Sequence, residues 1–401
     1  VLKIFIPVLL AASLLSGIAA AKERARDLGV AFDGTPGKLN AITDVAGVEV
    51  GHVTLIEGEG RIEAGRGPVR TGVTIVLPRG HASSKPVNGG FFNLNGYGEM
   101  TGQSYLQDLG VVYGPIGISN TNAIGQVYAG IQQWTALKFG EAVTPVVAET
   151  WDGGINDIQG FHVKPENAME AIERANGGPV AEGNVGGGTG MRCFGFKGGI
   201  GTASRTISIG KQPYTVGVLV QCNTGAREVL RISGVPVGHE LNAKWLPCYA
   251  PGQSGEKKKP ECQADGSGGK PVPDDGSIIV VVATDVPLSS MQLNRVARRA
   301  SLGLGRLGSF SGNGSGDLIV SFSTTSAAND VPDKQLNEGP MLATGQLDPV
   351  FQATVEATEE AIVNALVAAD TMTGGDGYTL FGLPHGELKQ LLGLYGRQQA
   401  K

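Results

Sequence analysis

The nine residues Asp275-Gly276-Ser277-Ile278-Ile279-Val280-Val281-Val282-Ala283 pass abruptly from loop chemistry to core chemistry. From Ile278 to Ala283 the residues are apolar with no polar alternation, so both faces of this strand are buried and it lies inside a sheet. Upstream, residues 244–275 lack periodicity and are dominated by proline, glycine and lysine. They read as an exposed connector, of a length that is uncommon unless the loop is functional or disordered. Gly276-Ser277 is the joint between the two.

Working outward, Pro287 and the capping candidates Ser289 and Ser290 introduce a helix from Met291 to about Leu307, and Leu318 to Phe322 is a further strand. Asp348-Pro349 makes an N-cap and first-turn pair for a helix from Pro349 to Ala369, with Phe351, Val355, Ile362 and Leu366 on its apolar face. Upstream, Thr206–Ile209 and Thr215–Gln221 read as strands, as does Val146–Ala148. Helices fit Gln126–Phe139 and Pro165–Ala175. Short apolar runs broken by glycine between Ala41 and Val76 read as more strands. Strands flanked by amphipathic helices at both ends favour a layered α/β architecture.

Composition narrows the class. The chain of 401 residues has 63 glycines, 41 % apolar and only 17 % charged residues, which excludes a disordered chain. The formal charge is −5, and the one basic run, Lys257-Lys258-Lys259, sits in the connector, so a nucleic-acid partner has no electrostatic footprint. Lys3, an apolar run from Ile4 to Leu15, and Ala19-Ala20-Ala21 have the order of a secretory signal, with cleavage expected after Ala21. A membrane anchor is the competing reading, weakened by Pro7, Ser13 and Ser16. Export to the periplasm or medium makes a disulfide between Cys248 and Cys262, closing a surface loop, the expected pairing. Cys193 and Cys222, in strand-like contexts, read as buried thiols.

Familiar motifs fail in detail. The glycines from Gly186 to Gly190 match neither G-x-G-x-x-G nor a P-loop. There is no G-x-S-x-G elbow, no H-E-x-x-H and no C-x-x-C, and the five histidines read as structural or exposed. What remains is Ser277. A chain cut after Gly276 would put a hydroxyl and a new α-amine on one residue, and an amine with pKa of about 7.7–8.0 is a suitable base for a serine near neutral pH. Taken alone, Gly276-Ser277 also reads as a simple turn.

A wider set of motifs resembles the L-aminopeptidase/D-esterase and β-peptidyl aminopeptidase family of self-processing serine hydrolases. It comprises Asn40-Ala41-Ile42-Thr43-Asp44-Val45 with Gly51-His52, Arg70-Thr71-Gly72-Val73-Thr74, and Ile118-Ser119-Asn120-Thr121. Gly183-Asn184-Val185-Gly186 with Gly190-Met191, Gly276-Ser277-Ile278-Ile279-Val280, Asn313-Gly314-Ser315-Gly316-Asp317 and Ala357-Thr358-Glu359-Glu360-Ala361 complete it. The resemblance implies a four-layer α/β/β/α sandwich of N-terminal-nucleophile type, with an α-chain of residues 22–276 and a β-chain of residues 277–401 forming one catalytic domain.

It further implies Ser277 as nucleophile, Ser315 and Asp317 as a hydroxyl and carboxylate near it, and Asn223 as oxyanion donor. Glu149 is implied to bind the substrate's free amine. Trp151 stands where the family pattern has a tyrosine; an indole donates one hydrogen bond and carries no proton. The expected substrates are short peptides, amides or esters, with no cofactor or metal, no nucleic acid and no membrane contact after signal removal, and the expected assembly is a homo-oligomer of αβ units. A self-cleaving acyltransferase and an uncleaved periplasmic amine-binding protein are the alternatives.

Overall fold

The computed structural model describes residues 22–83, 85–252, 259–327 and 341–399. The expected export signal, residues 1–21, lies outside them. The chain lays down β1 (Glu49–Glu57), β2 (Val69–Leu77), β3 (Val87–Gly96), β4 (Val111–Val112), β5 (Ile116–Asn120), α1 (Ile124–Phe139), β6 (Val146–Thr150) and α2 (Pro165–Glu173). Then follow β7 (Arg192–Cys193), β8 (Phe196–Lys197), β9 (Gly199–Ile209), β10 (Gln212–Asn223), the short α3 (Val237–Glu240) and β11 (Cys248–Tyr249). The last part holds β12 (Ser277–Thr284), α4 (Ser290–Arg306), β13 (Gly316–Ala327), α5 (Asp348–Val367), β14 (Met372–Thr373), β15 (Tyr378–Leu380) and α6 (His385–Leu394).

Two sheets face each other: one in the order β1-β2-β5-β6, the other β4-β3-β13-β12-β10-β9. Strand β12 shows why the residues at its two faces are equally apolar. Ile278, Val280 and Val282 pack with Leu293 and Val296 of α4 and Ile362 and Leu366 of α5. Ile279, Val281 and Ala283 point the other way, into a core shared with Val76, Ile116, Ile118 and Ala148 of the first sheet. That sheet's outer face, with Val73 and Ile75, is covered by Val127 and Ile131 of α1 and Ala168 and Ile172 of α2. The result is helix, sheet, sheet, helix. Close packing of helix on sheet depends on missing side chains: a Cβ on Gly201 of β9 would lie 2.0 Å from the Ala361 carbonyl oxygen of α5.

Local signals act where expected, with shifts. Ser289 caps α4, its hydroxyl accepting from Gln292 N at 3.3 Å while the Gln292 amide oxygen accepts from Ser289 N at 2.9 Å. At α5 the cap is Leu347, and Asp348 is already in the first turn beside Pro349. The segment expected as strand from Ala41 is instead a 3-10 turn over Ile42–Asp44. The Asp44 carboxylate accepts from Leu39 N and Ala41 N, a local bonding pattern that competes with a ladder.

Two cysteine findings follow. Cys248 is bonded to Cys262, and Cys193 to Cys222, so the expectation of two buried thiols is corrected. Lying side by side on β7 and β10, Cys193 and Cys222 have Cα atoms 5.5 Å apart, a contact that sequence spacing does not reveal. The 244–275 connector also differs from a simply exposed loop. Leu246 and Cys248 are buried, and β11 pairs with β15. Trp245 packs edge-on against Phe381 at 5.6 Å. Its aromatic residues and Cys248 anchor part of it to the body of the protein.

Candidate active site

At one end of the sheets the strand register gathers the implied residues. Ser277 begins β12 and lies opposite Asn223, the last residue of β10. On its other side β12 runs parallel to β13, with Ile278 opposite Asp317. The Gly316 N–H therefore reaches the Ser277 hydroxyl oxygen, at 3.1 Å. From the facing sheet, Glu149 and the chain just after β6 complete a cavity of about 520 Å³. Gly276, Ser277, Asn223, Glu149 and Trp151 all line it.

Each polar group is held by neighbours. The Asn223 side-chain oxygen accepts from Arg192 N at 2.8 Å, which turns the amide N–H groups away from β7. The buried Glu149 carboxylate accepts from Glu99 N at 3.1 Å and from the Thr121 hydroxyl. Burial pushes its pKa above the ordinary glutamate value, against those hydrogen bonds and with a small push from the charge of Glu99. A buried carboxylate with no cation paired to it among the described residues is suited to receive one.

Ser315 and Asp317 do not line the cavity. Both are fully buried one layer behind, the Ser315 hydroxyl donating to Asp317 Oδ1 at 2.6 Å and lying 3.3 Å from Thr224 Oγ1. Burial raises the Asp317 pKa, opposed by the hydroxyls of Ser315 and Ser311. Their route to Ser277 runs through the Gly316 backbone. Trp151 is half-exposed at the mouth, its ring against Gly153, where a Cβ would lie 2.6 Å from the indole.

Thr121, Arg192, Tyr97 and Tyr378 are among the lining residues that were not expected at the site. Thr121 ends the Ile118-Ser119-Asn120-Thr121 motif and Arg192 directly follows Gly190-Met191, so proximity to motifs was a usable signal. Tyr97 stands exposed on the rim. Tyr378 comes from β15, with Tyr249 of the connector behind it at 4.6 Å, and burial pushes its pKa up to about 12. Nothing in its surroundings in the sequence marks it.

None of the five histidines lines the cavity. His52 is held neutral by burial, its pKa lowered to about 4, while His81 and His162 pair with Glu49 and Asp157. Among the described residues no cluster of His, Cys, Asp and Glu could hold a metal ion.

Against this geometry, the model of peptidase family S58 matches residues 40–380. The chain belongs to peptidase family S58. As a member it is a peptidase. Over 397 residues it is 53 % identical to the β-peptidyl aminopeptidase BapA of Sphingosinicella microcystinivorans, covering 98 % of both chains. With the enzyme of the same name from Sphingosinicella xenopeptidilytica it shares 44 % over 95 % of this chain and 93 % of the other. Among solved structures, the L-aminopeptidase D-Ala-esterase/amidase of Ochrobactrum anthropi, described as a variant of the Ntn-hydrolase fold, superposes with a TM-score of 0.82. It is 41 % identical and is matched over 94 % of this chain and 99 % of its own. A Burkholderia β-aminopeptidase gives 0.79 at 40 % identity over 93 % and 99 %. This S58 peptidase therefore has the Ntn-hydrolase fold, with β12 as the strand that carries Ser277.

Proposed function

We propose that this S58 peptidase cuts itself between Gly276 and Ser277 and then works as a serine aminopeptidase on short peptides, amides or esters. The observation that carries the reading is Ser277: a hydroxyl at the first residue of a central strand, in a cavity that Asn223 and a buried Glu149 also line.

In the cut, Ser277 Oγ attacks the Gly276 carbonyl carbon, the C–N bond breaks as the amide nitrogen takes a proton, and an ester links Gly276 to Oγ. Water hydrolyses that ester, leaving a Gly276 carboxylate and Ser277 with a free amine and hydroxyl. In turnover the freed α-amine takes the hydroxyl proton as Oγ attacks the substrate carbonyl. The Asn223 amide donates to the oxyanion, and Gly316 N–H, already on Oγ, fixes the nucleophile's rotamer. The amine delivers its proton to the leaving group, and water releases the acyl group by the same steps in reverse. Ser315 and Asp317, hydrogen-bonded to each other one layer behind, keep the Gly316 backbone in place under the nucleophile. Glu149 pairs with the substrate ammonium, which sets the number of residues between the chain end and the cleaved bond and makes the enzyme an exopeptidase.

Trp151 at the mouth narrows the acyl side of the cavity without taking part in proton transfer. The relatives, two β-peptidyl aminopeptidases and an L-aminopeptidase D-Ala-esterase/amidase, support short amine-bearing acyl donors as substrates. Two disulfides with no free cysteine among the described residues support an oxidising compartment, in keeping with the export signal. A homo-oligomer of αβ units is the assembly we expect. Hydrolysis of β-alanyl and L-amino-acid p-nitroanilides by wild type, and none by an uncut Ser277→Ala variant, is the expected result. Normal turnover by Ser277→Ala would overturn it.

A further inference from the structure

The Gly276–Ser277 bond is held from one side by the sheet and from the other by a set of contacts that the proposed chemistry does not use. Ser277 is fixed by pairing on both edges of β12 and by the Gly316 N–H on its hydroxyl. The chain approaching from the connector has no ladder. It is held instead by two carboxylates. Asp274 spans two loops, Oδ1 accepting from Gly225 N at 2.9 Å and Oδ2 from Gly312 N at 3.3 Å. Asp275 Oδ1 accepts from Arg192 Nη2 at 2.7 Å, and the same nitrogen donates to the Pro273 carbonyl at 3.3 Å. Gly276 then lies so close to β10 that a Cβ would sit 1.9 Å from the Asn223 carbonyl oxygen.

Arg192 is tied at its other end to the oxyanion donor. Its backbone N–H holds the Asn223 side chain, and its neighbour Cys193 is bonded to Cys222, which immediately precedes Asn223. One residue thus links the chain just before the bond to the group that would stabilise the oxyanion formed at that bond. Resting on the self-processing reading, we propose that Arg192 is a positioning residue for chain cleavage, acting through Asp275 to hold the Gly276 carbonyl against Ser277 Oγ and the Asn223 amide. Intramolecular attack is sensitive to placement, and a shift of about 1 Å costs on the order of 10²-fold in rate. Folding does not depend on the pair to the same degree. The Asp275 side chain is 58 % exposed, and ion pairs of that kind contribute at most about 1 kcal/mol.

The test follows cleavage of freshly synthesised full-length chain by gel and mass spectrometry for wild type, Arg192→Ala, Arg192→Lys, Asp275→Asn and the Arg192→Ala/Asp275→Asn double variant, with melting temperature measured for each. Wild type is expected to cut, Arg192→Ala and Asp275→Asn to cut about 10- to 100-fold more slowly. The double variant should be no slower than the slower single, and Arg192→Lys should recover part of the rate, with melting temperatures close to wild type. A general structural defect would add up in the double variant and lower its melting temperature. Wild-type cleavage rates in either single variant overturn the inference while leaving self-processing intact, and Asp275→Asn keeps the test available should Arg192→Ala fail to fold. An uncut wild-type chain would instead remove the reading on which it rests.

Discussion

In the proposed mechanism Asn223 and Glu149 do opposite electrostatic work, and their environments differ accordingly. Asn223 has its oxygen occupied by Arg192 N, so its N–H groups are the donors left for an oxyanion. Replacing it with alanine is expected to lower kcat by about 10²–10³-fold with little change in KM; steady-state kinetics on a p-nitroanilide check this. A Glu149→Gln variant should lose kcat/KM for substrates with a free amine and lose far less on N-acetylated esters. Because burial raises the Glu149 pKa, the carboxylate is neutralised at a higher pH than an ordinary glutamate. The step in the acid limb of kcat/KM that comes from Glu149 should accordingly sit above the ordinary glutamate range in wild type and be lost in Glu149→Gln, leaving the limb set by protonation of the Ser277 α-amine.

Asp152, next to Trp151, is a buried carboxyl whose pKa burial raises from 3.8 to about 6, in spite of the hydrogen bond from Asn156. The native state then binds the proton more tightly than the unfolded chain, so this group's contribution to stability is fully present below pH ~4 and is lost as pH rises from ~4 to ~6. Asp152→Asn removes that loss. The expected gain is about 2–3 kcal/mol at pH 7, shrinking to nothing near pH 4, as read from denaturant unfolding at the two values.

At the scale of elements, the glycines carry more of the fold than the sequence reading assigned them. Gly201→Ala forces α5 away from β9, because no side chain separates the Ala361 carbonyl from the strand. A loss of about 1–3 kcal/mol is expected, without direct contact with the cavity, and chemical denaturation measures it. Strand β12, helices α1, α2, α4 and α5, and the pair β9 and β10 were legible because periodicity and caps are local signals. The turn at Ile42–Asp44 was not, since Asp44 acts on backbone groups that apolar patterning does not report. The same holds for the Cys193–Cys222 bond, which depends on two strands being neighbours in space.

Across the whole molecule, one end of two stacked sheets collects residues that are far apart in the chain. Ser277, Asn223 and Glu149 were named from the family resemblance, and the register of β12 with β10 and β13 brings the first two together. Tyr378 and the packed part of the connector escaped notice because their places depend on β11 pairing with β15. Ser315 and Asp317 were expected near the nucleophile and lie behind it, separated from the cavity by the Gly316 backbone. The catalytic account depends on the chain being broken between Gly276 and Ser277. End-group sequencing of freshly purified protein, after separation of the fragments, addresses it directly. The account predicts a fragment beginning Ser-Ile-Ile-Val-Val at Ser277 beside one ending at Gly276. A single chain continuous through residues 276 and 277 in fully active enzyme would contradict it.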